Sequence, residues 1–285
     1  MAHHRAVRAR PPFHPSKRLG QHFLVDANLP DKIIYSARFK PSDVVLEIGP
    51  GQGALTFPLS RAVSHVVAVE KDTHLVDFLQ KRLRAASVSN VTLVCHDILS
   101  FDIETIPRSL SEKIQVIGNL PYNISSPVLE KLMQVRHRLA RAVLMFQLEV
   151  AKRLTASPCS KGYGALTLLI RYHALPTCLL EVPKNAFYPV PKVDSMVVEL
   201  DFERPYPSHG VSEGDFKKTV RGAFAHRRKT LLNSLKGSLR ELSQAVLLNG
   251  LKASGIDPAR RAETLTMDEF LMLAQMLAVD KRETG

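Results

Sequence analysis

The sequence contains few cysteines and no long apolar run. Its 285 residues include three cysteines, Cys95, Cys159 and Cys178, whose spacing fits neither a metal-ligand motif nor an even-numbered disulfide framework. We expect them to pack as small hydrophobic side chains in a reducing cytoplasm, with no bound metal. Because no apolar stretch is long enough to cross a bilayer, the sequence predicts no membrane partner.

Acidic residues are missing from the whole segment that precedes Asp26, whereas arginine, lysine, histidine and proline are frequent there. A segment of this composition cannot form a core of its own, so we interpret residues 1–19 as a basic tail. A transit peptide would also be basic. Pro11, Pro12 and Pro15 disfavour the amphipathic helix that a transit peptide requires.

The chain as a whole is basic. Its formal net charge is +12 and its pI is about 9.8, while its hydrophobic content of 45% and charged content of 23% are those of an ordinary globular protein. An excess of positive charge on such a protein favours a polyanionic partner, with nucleic acid ahead of a membrane surface. The length is enough for one large domain and a small one.

Apolar strand patterns alternate with helical stretches from Asp43 onward. We predict strands at 44–48, 66–70, 91–94, 114–118 and 142–146, which indicates an α/β domain with a parallel sheet. Two further strands, at 178–182 and 195–200, would pair as an antiparallel hairpin at the sheet edge. The chain after a Pro- and Ser-containing linker at 205–210 has amphipathic helical segments, so we place the domains at 20–203 and 204–285.

Four strands of this sheet are followed by residues suited to ligand binding. Gly49, Glu70, Asp97 and Asn119 each lie at or just beyond the carboxyl end of a predicted strand. In parallel α/β sheets, ligands bind beyond these carboxyl ends. We therefore expect the four residues to meet in one crevice.

The glycine turn after the first strand of this sheet admits two interpretations. Gly49, Gly51 and Ala54 satisfy the G-x-G-x-x-A dinucleotide pattern, and Glu70 has the spacing of a ribose-binding acid, which would suit a nicotinamide-dependent dehydrogenase. Glu47 before the turn and the additional glycine within it favour S-adenosylmethionine, which carries no pyrophosphate. A tight turn beside a solvated acid is the structural alternative.

The tetrapeptide Asn119-Leu120-Pro121-Tyr122 has the chemistry to hold an amine on a flat base. Pro121 pushes Leu120 toward an extended backbone and turns its carbonyl away from sheet pairing. Asn119 Oδ1 and this carbonyl could accept the two N–H bonds of an exocyclic amine, and Tyr122 could cover one face of the base. Taken alone, the tetrapeptide could equally be a strand followed by an Asn/Pro turn.

Two later stretches fit a nucleic-acid substrate. The stiff segment from Phe187 to Val193 could offer an aromatic ring to an extruded base, although the ring could instead pack inward. The stretch from Lys217 to Arg240 has eight basic residues and no acid. Such a stretch is often only a solvated face, but its density favours phosphate contact. The candidate RNA-binding residues are Arg221, Arg227, Arg228 and Lys229.

Together these motifs resemble the ribosomal RNA adenine N6,N6-dimethyltransferases, specifically the bacterial enzymes of the small subunit. The resemblance extends from about Lys17 to the last helices. It depends on several motifs in the same order: Gly20 to Leu24, Glu47 to Gly53, Asn119 to Pro127, Gln147 with Glu149 and Arg153, Phe187 to Ser195, and Phe224 to Thr230. The sequence departs from the family pattern at His22, where the family often has asparagine.

The resemblance implies a seven-stranded, mostly parallel Rossmann-like methyltransferase sheet with a small all-α C-terminal domain that binds RNA. It implies that S-adenosylmethionine is the methyl donor and that two adjacent adenines near the 3′ end of 16S ribosomal RNA are dimethylated at N6. The implied cofactor-binding residues are His22, Leu24, Gly49, Gly51, Glu70, Asp97 and Asn119. The implied catalytic residues, which hold the adenine, are Asn119, Leu120, Tyr122 and Phe187.

The resemblance implies that the partners are small-subunit ribosomal RNA and the immature small ribosomal subunit. It also implies a monomeric cytoplasmic enzyme with a role in subunit biogenesis. Two alternatives remain open beside the dehydrogenase. One is the related large-subunit ribosomal RNA adenine methyltransferase. The other is a non-catalytic factor that binds immature subunits through its basic faces.

Overall fold

The computed structural model describes Pro15 and residues 20–208, 210–226 and 228–283. The predicted basic tail therefore lies outside the described residues, apart from Pro15. The described residues form two compact units. The first comprises those up to Ala151 together with Pro176–Glu203, and the second comprises Lys152–Leu175 and those from Arg204 onward.

The strands belong to two sheets. Their bounds are Phe23–Leu24 (β1), Val44–Ile48 (β2), His65–Glu70 (β3), Val91–Cys95 (β4), Ile114–Asn119 (β5), Leu139–Gln147 (β6), Leu175–Val182 (β7), Phe187–Tyr188 (β8) and Ser195–Asp201 (β9). The seven-stranded sheet has the order β4-β3-β2-β5-β6-β9-β7, and β1 pairs with β8 in a separate two-stranded sheet. Strands β2 to β6 are parallel, and β9 is antiparallel to β6.

The central strands are buried because both faces of the sheet are covered. Every residue of β2 is buried, and in β5 only the last residue, Asn119, is partly exposed. Runs of β-branched residues with no polar alternation are typical of such parallel strands. The α/β fold with a seven-stranded, mostly parallel sheet is thereby confirmed, and Asn119 is the last residue of its strand as predicted.

The helices are Leu29–Ala37 (α1), Thr56–Ala62 (α2), Thr73–Ala85 (α3), Ser125–Gln134 (α4), Leu148–Leu154 (α5), Ala165–His173 (α6), Glu213–Phe224 (α7), Leu231–Ser238 (α8), Gln244–Ala253 (α9) and Met267–Glu283 (α10). Several begin at a side chain that accepts a backbone N–H bond, such as Asp72 before α3 and Ser212 before α7. Caps of this kind satisfy N–H groups that the first turn leaves unpaired. No described helix is both long and apolar enough to cross a membrane.

The second unit differs from the predicted domain of residues 204–285 because it also contains Lys152–Leu175. Tyr163 and Leu168 of this segment are buried in one apolar cluster with Phe216 and Phe270. The Tyr163 hydroxyl also donates a hydrogen bond of 2.8 Å to the Leu265 carbonyl. These long-range apolar contacts, which local sequence patterns do not reveal, join the segment to the helices from α7 to α10.

Candidate active site

A cavity of about 630 Å³ lies in the first unit, at the carboxyl ends of the parallel strands. Its lining comes from five separate parts of the chain, within residues 20–25, 47–55, 69–75, 96–99 and 119–124. Gly49, Glu70, Asp97 and Asn119 all line it, so the structure brings together the four residues that follow the strands.

The glycine turn leaves room for a ligand at the carboxyl end of β2. Gly49 has a φ of 66°, and a Cβ atom built on it would meet nothing within 4 Å. Gly51 has a φ of 56°, and its Cβ would lie 3.3 Å from the Phe23 ring. Both angles lie in the left-handed region that favours glycine. The turn therefore exposes backbone directly to the cavity at Gly49.

Glu70 supports this turn from the end of β3. Its carboxylate accepts hydrogen bonds from the backbone N–H groups of Gly51 at 3.1 Å and Asp72 at 2.9 Å. Burial raises the pKa of Glu70 above its ordinary value, while these same backbone bonds oppose that rise. The Lys71 backbone N–H is a third donor, and because a carboxylate has about four lone-pair positions, capacity is left for a ligand hydroxyl group.

Asp97 follows β4 and lies at the rim of the cavity. It accepts a hydrogen bond of 2.6 Å from Lys71 Nζ and one of 2.9 Å from the Leu99 backbone N–H. The hydrogen bond from Lys71, followed by that from Leu99, lowers the pKa of Asp97 below its ordinary value. The side chain is therefore an ionised acceptor with a fixed orientation.

Glu47 is a cavity residue that the sequence indicated only as a feature of the glycine turn. Its side chain is 1% exposed, and within the described part of the chain its Oε2 atom has no hydrogen-bond partner. Burial raises the pKa of Glu47 to about 8. A buried oxygen of this kind needs a donor group that reaches it, supplied by a ligand in the cavity or by the neighbouring Thr56 hydroxyl, which lowers the pKa and so opposes the effect of burial. The acid inside an otherwise apolar strand was the signal in the sequence.

The raised pKa of Glu47 predicts a pH-dependent stability. Between the ordinary pKa of 4.5 and about 8, the unfolded chain loses a proton that the folded chain keeps, so rising pH should lower the free energy of unfolding. The slope would reach at most about 1.4 kcal/mol per pH unit. Urea unfolding should show Glu47→Gln becoming progressively more stable than the parent from pH 5 to pH 8, with Glu181→Gln as the exposed control. A pH-independent difference would contradict this assignment.

Asn119 is oriented by the segment of residues 20–25, which also lines the cavity. Its Nδ2 group donates a hydrogen bond of 3.0 Å to the His22 carbonyl. Since a carbonyl only accepts, the amide nitrogen must face His22, and Oδ1 points to the other side of the amide. The adjoining Leu120 side chain is buried at 1% exposure and anchors the backbone there.

Tyr122 follows in a single 3₁₀ turn, Tyr122–Ile124. Its ring stacks on the His22 ring, with 5.5 Å between the centroids and 29° between the planes. Its hydroxyl lies 2.9 Å from Ser195 Oγ. Burial raises the pKa of Tyr122 above its ordinary value, so the phenol stays protonated. Ser195 was not predicted as a site residue.

His22 and Leu24 line the cavity through a wall formed by residues 20–25. This wall is held in place where Leu24 pairs with Phe187 across the two-stranded sheet. The His22 ring adds a contact, since its Nδ1 atom lies 2.7 Å from the Pro189 carbonyl and donates to it. His22 therefore contacts Tyr122 as well as the cavity.

Phe187 does not line the cavity. It is 1% exposed and belongs to the apolar core of the first unit, together with Val182, Ala186 and Val197. Its ring is packed inward, in agreement with the structural alternative considered for this segment. A role for Phe187 in stacking on the adenine stays a prediction.

The predicted RNA-binding residues lie in the second unit. Arg221 is on α7, and Arg228 and Lys229 follow this helix; all three side chains are exposed. Arg227 lies outside the described residues. The connection between α7 and α8 is fixed by Ser234, which accepts from the His226 backbone N–H and donates to the Gly222 carbonyl.

The fold and cavity define a class of protein. The unpaired Glu47 oxygen, the open space above Gly49 and the spare acceptor capacity of Glu70 fit S-adenosylmethionine, whose ammonium and ribose hydroxyl groups are donors. The oriented Asn119 amide stands where an amine could be held beside this cofactor. These features are those of an S-adenosylmethionine-dependent methyltransferase with a Rossmann-like fold.

The family follows from comparison with known proteins. The model of the family described as "Ribosomal RNA adenine dimethylase" matches residues 13–279, and the chain belongs to this family. Membership makes the protein an enzyme that methylates ribosomal RNA adenine. It confirms the family resemblance drawn from the motifs and excludes the dehydrogenase.

Relatives and solved structures agree with this placement. "Ribosomal RNA small subunit methyltransferase A" of Desulforapulum autotrophicum is 45% identical over 92% of this chain and 91% of its own length. The protein of the same name from Pelotomaculum thermopropionicum is 43% identical over 95% and 94%. A dimethyladenosine transferase from Plasmodium falciparum has a TM-score of 0.76 at 29% identity, covering 92% of this chain and 98% of its own. The 23S rRNA methyltransferase ErmE has 0.70 at 25%, covering 90% and 99%.

Proposed function

We propose that this enzyme transfers methyl groups from S-adenosylmethionine to N6 of two adjacent adenines near the 3′ end of 16S ribosomal RNA, giving N6,N6-dimethyladenosines. The observation that carries the proposal is the orientation of the Asn119 amide. Its Nδ2 group donates to the His22 carbonyl at 3.0 Å, so its Oδ1 atom faces away from His22 and is left to accept from an amine. The choice of the small subunit is supported by relatives of that name at 43–45% identity, against 25% for ErmE.

Positioning is the main task of the chain's own residues. The lone pair of adenine N6 is delocalised into the ring, so the amine is a poor nucleophile until acceptors orient it. Asn119 Oδ1 and the Leu120 carbonyl would accept its two N–H bonds, and Tyr122 would cover one face of the base. Holding the reacting groups in line can supply a large part of an enzymatic acceleration.

The cofactor supplies a methyl group already activated by a positive sulfur. We assign its ribose hydroxyls to Glu70, its adenine end to the neighbourhood of Asp97, and its amino acid end to the glycine turn. N6 keeps one hydrogen after the first transfer, so the same acceptors can orient it for a second. The cavity volume of about 630 Å³ gives room for the cofactor and the base together.

The substrate is proposed to be the immature small subunit, bound by a monomeric cytoplasmic enzyme. A tritiated-methyl transfer assay tests this by comparing undermethylated small subunits, mature subunits, naked 16S RNA and undermethylated large subunits. We expect two dimethylated adenines in undermethylated small subunits. Methylation of large subunits alone would favour the related large-subunit activity, and subunit binding without any transfer would favour a non-catalytic assembly factor.

Charge reversal at Arg228 and Lys229, which we call the basic connection because they lie between α7 and α8, should weaken RNA binding and leave the affinity for the cofactor unchanged. Arg228→Glu with Lys229→Glu lowers the formal net charge from +12 to +8, by two for each substitution. If both side chains contact phosphates, the slope of log affinity against log salt should become shallower by roughly 1–2. Filter binding to small subunits over a salt series measures this slope.

The matched control for that experiment is Lys252→Glu with Arg261→Glu, two exposed positions of the same unit with the same change in charge. Adding Arg227→Glu to the first pair extends the test to the whole predicted motif. If control and test pairs weaken binding equally, with equal salt slopes, the connection is only a solvated basic face.

A further inference from the structure

The Tyr122 ring is held at two places by side chains from other parts of the first unit. At its tip, the phenolic oxygen lies 2.9 Å from Ser195 Oγ. On one face, the ring stacks on His22 at a centroid distance of 5.5 Å. A face contact limits the tilt of an aromatic ring, and a bond at its tip limits its swing about the side-chain torsions.

Ser195 lies in a position that favours a stable hydrogen bond with Tyr122. It is the first residue of β9, paired with Gln147 at the end of β6, and it is 0% exposed. A fully buried hydroxyl that loses its partner incurs a desolvation penalty, so the pairing with Tyr122 is favoured in the folded state. Burial also raises the pKa of Tyr122, which keeps the phenol able to donate.

The arrangement links Tyr122 to the same wall that orients Asn119. The His22 carbonyl holds the Asn119 amide, the His22 ring touches Tyr122, and its Nδ1 atom holds the Pro189 carbonyl. The Pro189 segment leads directly into Ser195 at the start of β9. Asn119, the proposed acceptor for the amine, and Tyr122, the proposed cover for the base, are thus both held by His22 and the segments bonded to it.

We infer that Ser195 is a positioning residue for methyl transfer: through the hydroxyl contact it holds the Tyr122 ring at the angle that covers the target adenine. The inference depends on the proposed methyl transfer to an adenine in this cavity. Ser195 itself need not touch the base or the cofactor. Removing the Ser195 hydroxyl should therefore lower kcat, and it should cause no further loss once the Tyr122 hydroxyl has been removed.

A double-mutant cycle tests this inference. Ser195→Ala and Tyr122→Phe each remove one half of the contact while keeping the ring, and each should lower kcat roughly two- to tenfold, the loss expected for one neutral hydrogen bond. The double variant should be no slower than the slower single variant. The KM for undermethylated small subunits and the calorimetric affinity for S-adenosylmethionine should stay at wild-type values.

Concentrations are normalised to active sites by cofactor calorimetry, so that partial unfolding cannot imitate a lower kcat. Ser64→Ala is the matched control, because Ser64 Oγ donates to the Asp43 carbonyl at the amino-end edge of the sheet. Losses that multiply in the double variant, or a Ser195→Ala enzyme with wild-type kcat, would overturn the inference while leaving the proposed function intact. A wild-type protein that transfers no methyl group would overturn both.

Discussion

Glu70→Ala should weaken the binding of S-adenosylmethionine by roughly ten- to a hundredfold. Hydrogen bonds to a charged acceptor are typically worth about 1.5–3 kcal/mol, and the ribose would lose its carboxylate partner. The structure adds a second reason, because Glu70 also accepts from the Gly51 N–H at 3.1 Å. Without this acceptor, the glycine turn loses a bond that fixes its position.

Isothermal calorimetry with the purified cofactor measures the effect, and two further variants separate its causes. Glu70→Gln keeps the shape and one acceptor oxygen but presents an amide N–H group to the backbone donors, so it should fall between parent and alanine variant. Asp77→Ala removes an exposed acid from α3 and controls for charge alone. An unchanged dissociation constant for Glu70→Ala would remove Glu70 from the cofactor site.

The parallel sheet was predictable because its strands are mainly apolar runs that end at or beside polar or glycine residues. Val44–Ile48 was located to the residue, and β5 ends at Asn119, where the sequence placed the end of that strand. The carboxyl-end rule then sufficed to place Gly49, Glu70, Asp97 and Asn119 at one cavity. Local patterns carry this information because a buried parallel strand cannot tolerate solvated side chains along its length.

Other features depend on contacts between distant parts of the chain. β1 and β8 have two residues each, too few for any periodicity, yet their pairing buries Phe187 and shapes the wall near His22. Ser195 is, in the sequence, only the last residue of the Phe187 to Ser195 motif and the first residue of an apolar strand, and the role inferred for it depends on a contact with Tyr122, 73 positions away. Such pairings become visible only when the fold has brought the residues together.

The prediction that separates an enzyme from a pure assembly factor concerns Asn119→Ala. The substitution deletes the side-chain acceptor for the target amine and leaves the Leu120 carbonyl and the basic connection in place. By analogy with deletion of one oriented donor from an oxyanion hole, we expect a loss of about 3–4 kcal/mol in the transition state, or roughly a hundred- to thousandfold in rate. Binding to small subunits should be largely retained.

Single-turnover transfer of tritiated methyl groups, with saturating enzyme and cofactor, isolates the chemical step. Because Asn119 also donates to the His22 carbonyl, its loss frees the wall at residues 20–25, and cofactor calorimetry must accompany the assay. Asn90→Ala is the matched control: its amide holds the Ser60 and Val63 carbonyls at 2.9 and 3.1 Å, near the amino-end edge of the sheet. That variant should lose stability without losing the chemical step. If Asn119→Ala binds cofactor and subunits normally and still dimethylates near the wild-type rate, Asn119 does not orient the amine, and the positioning mechanism is wrong.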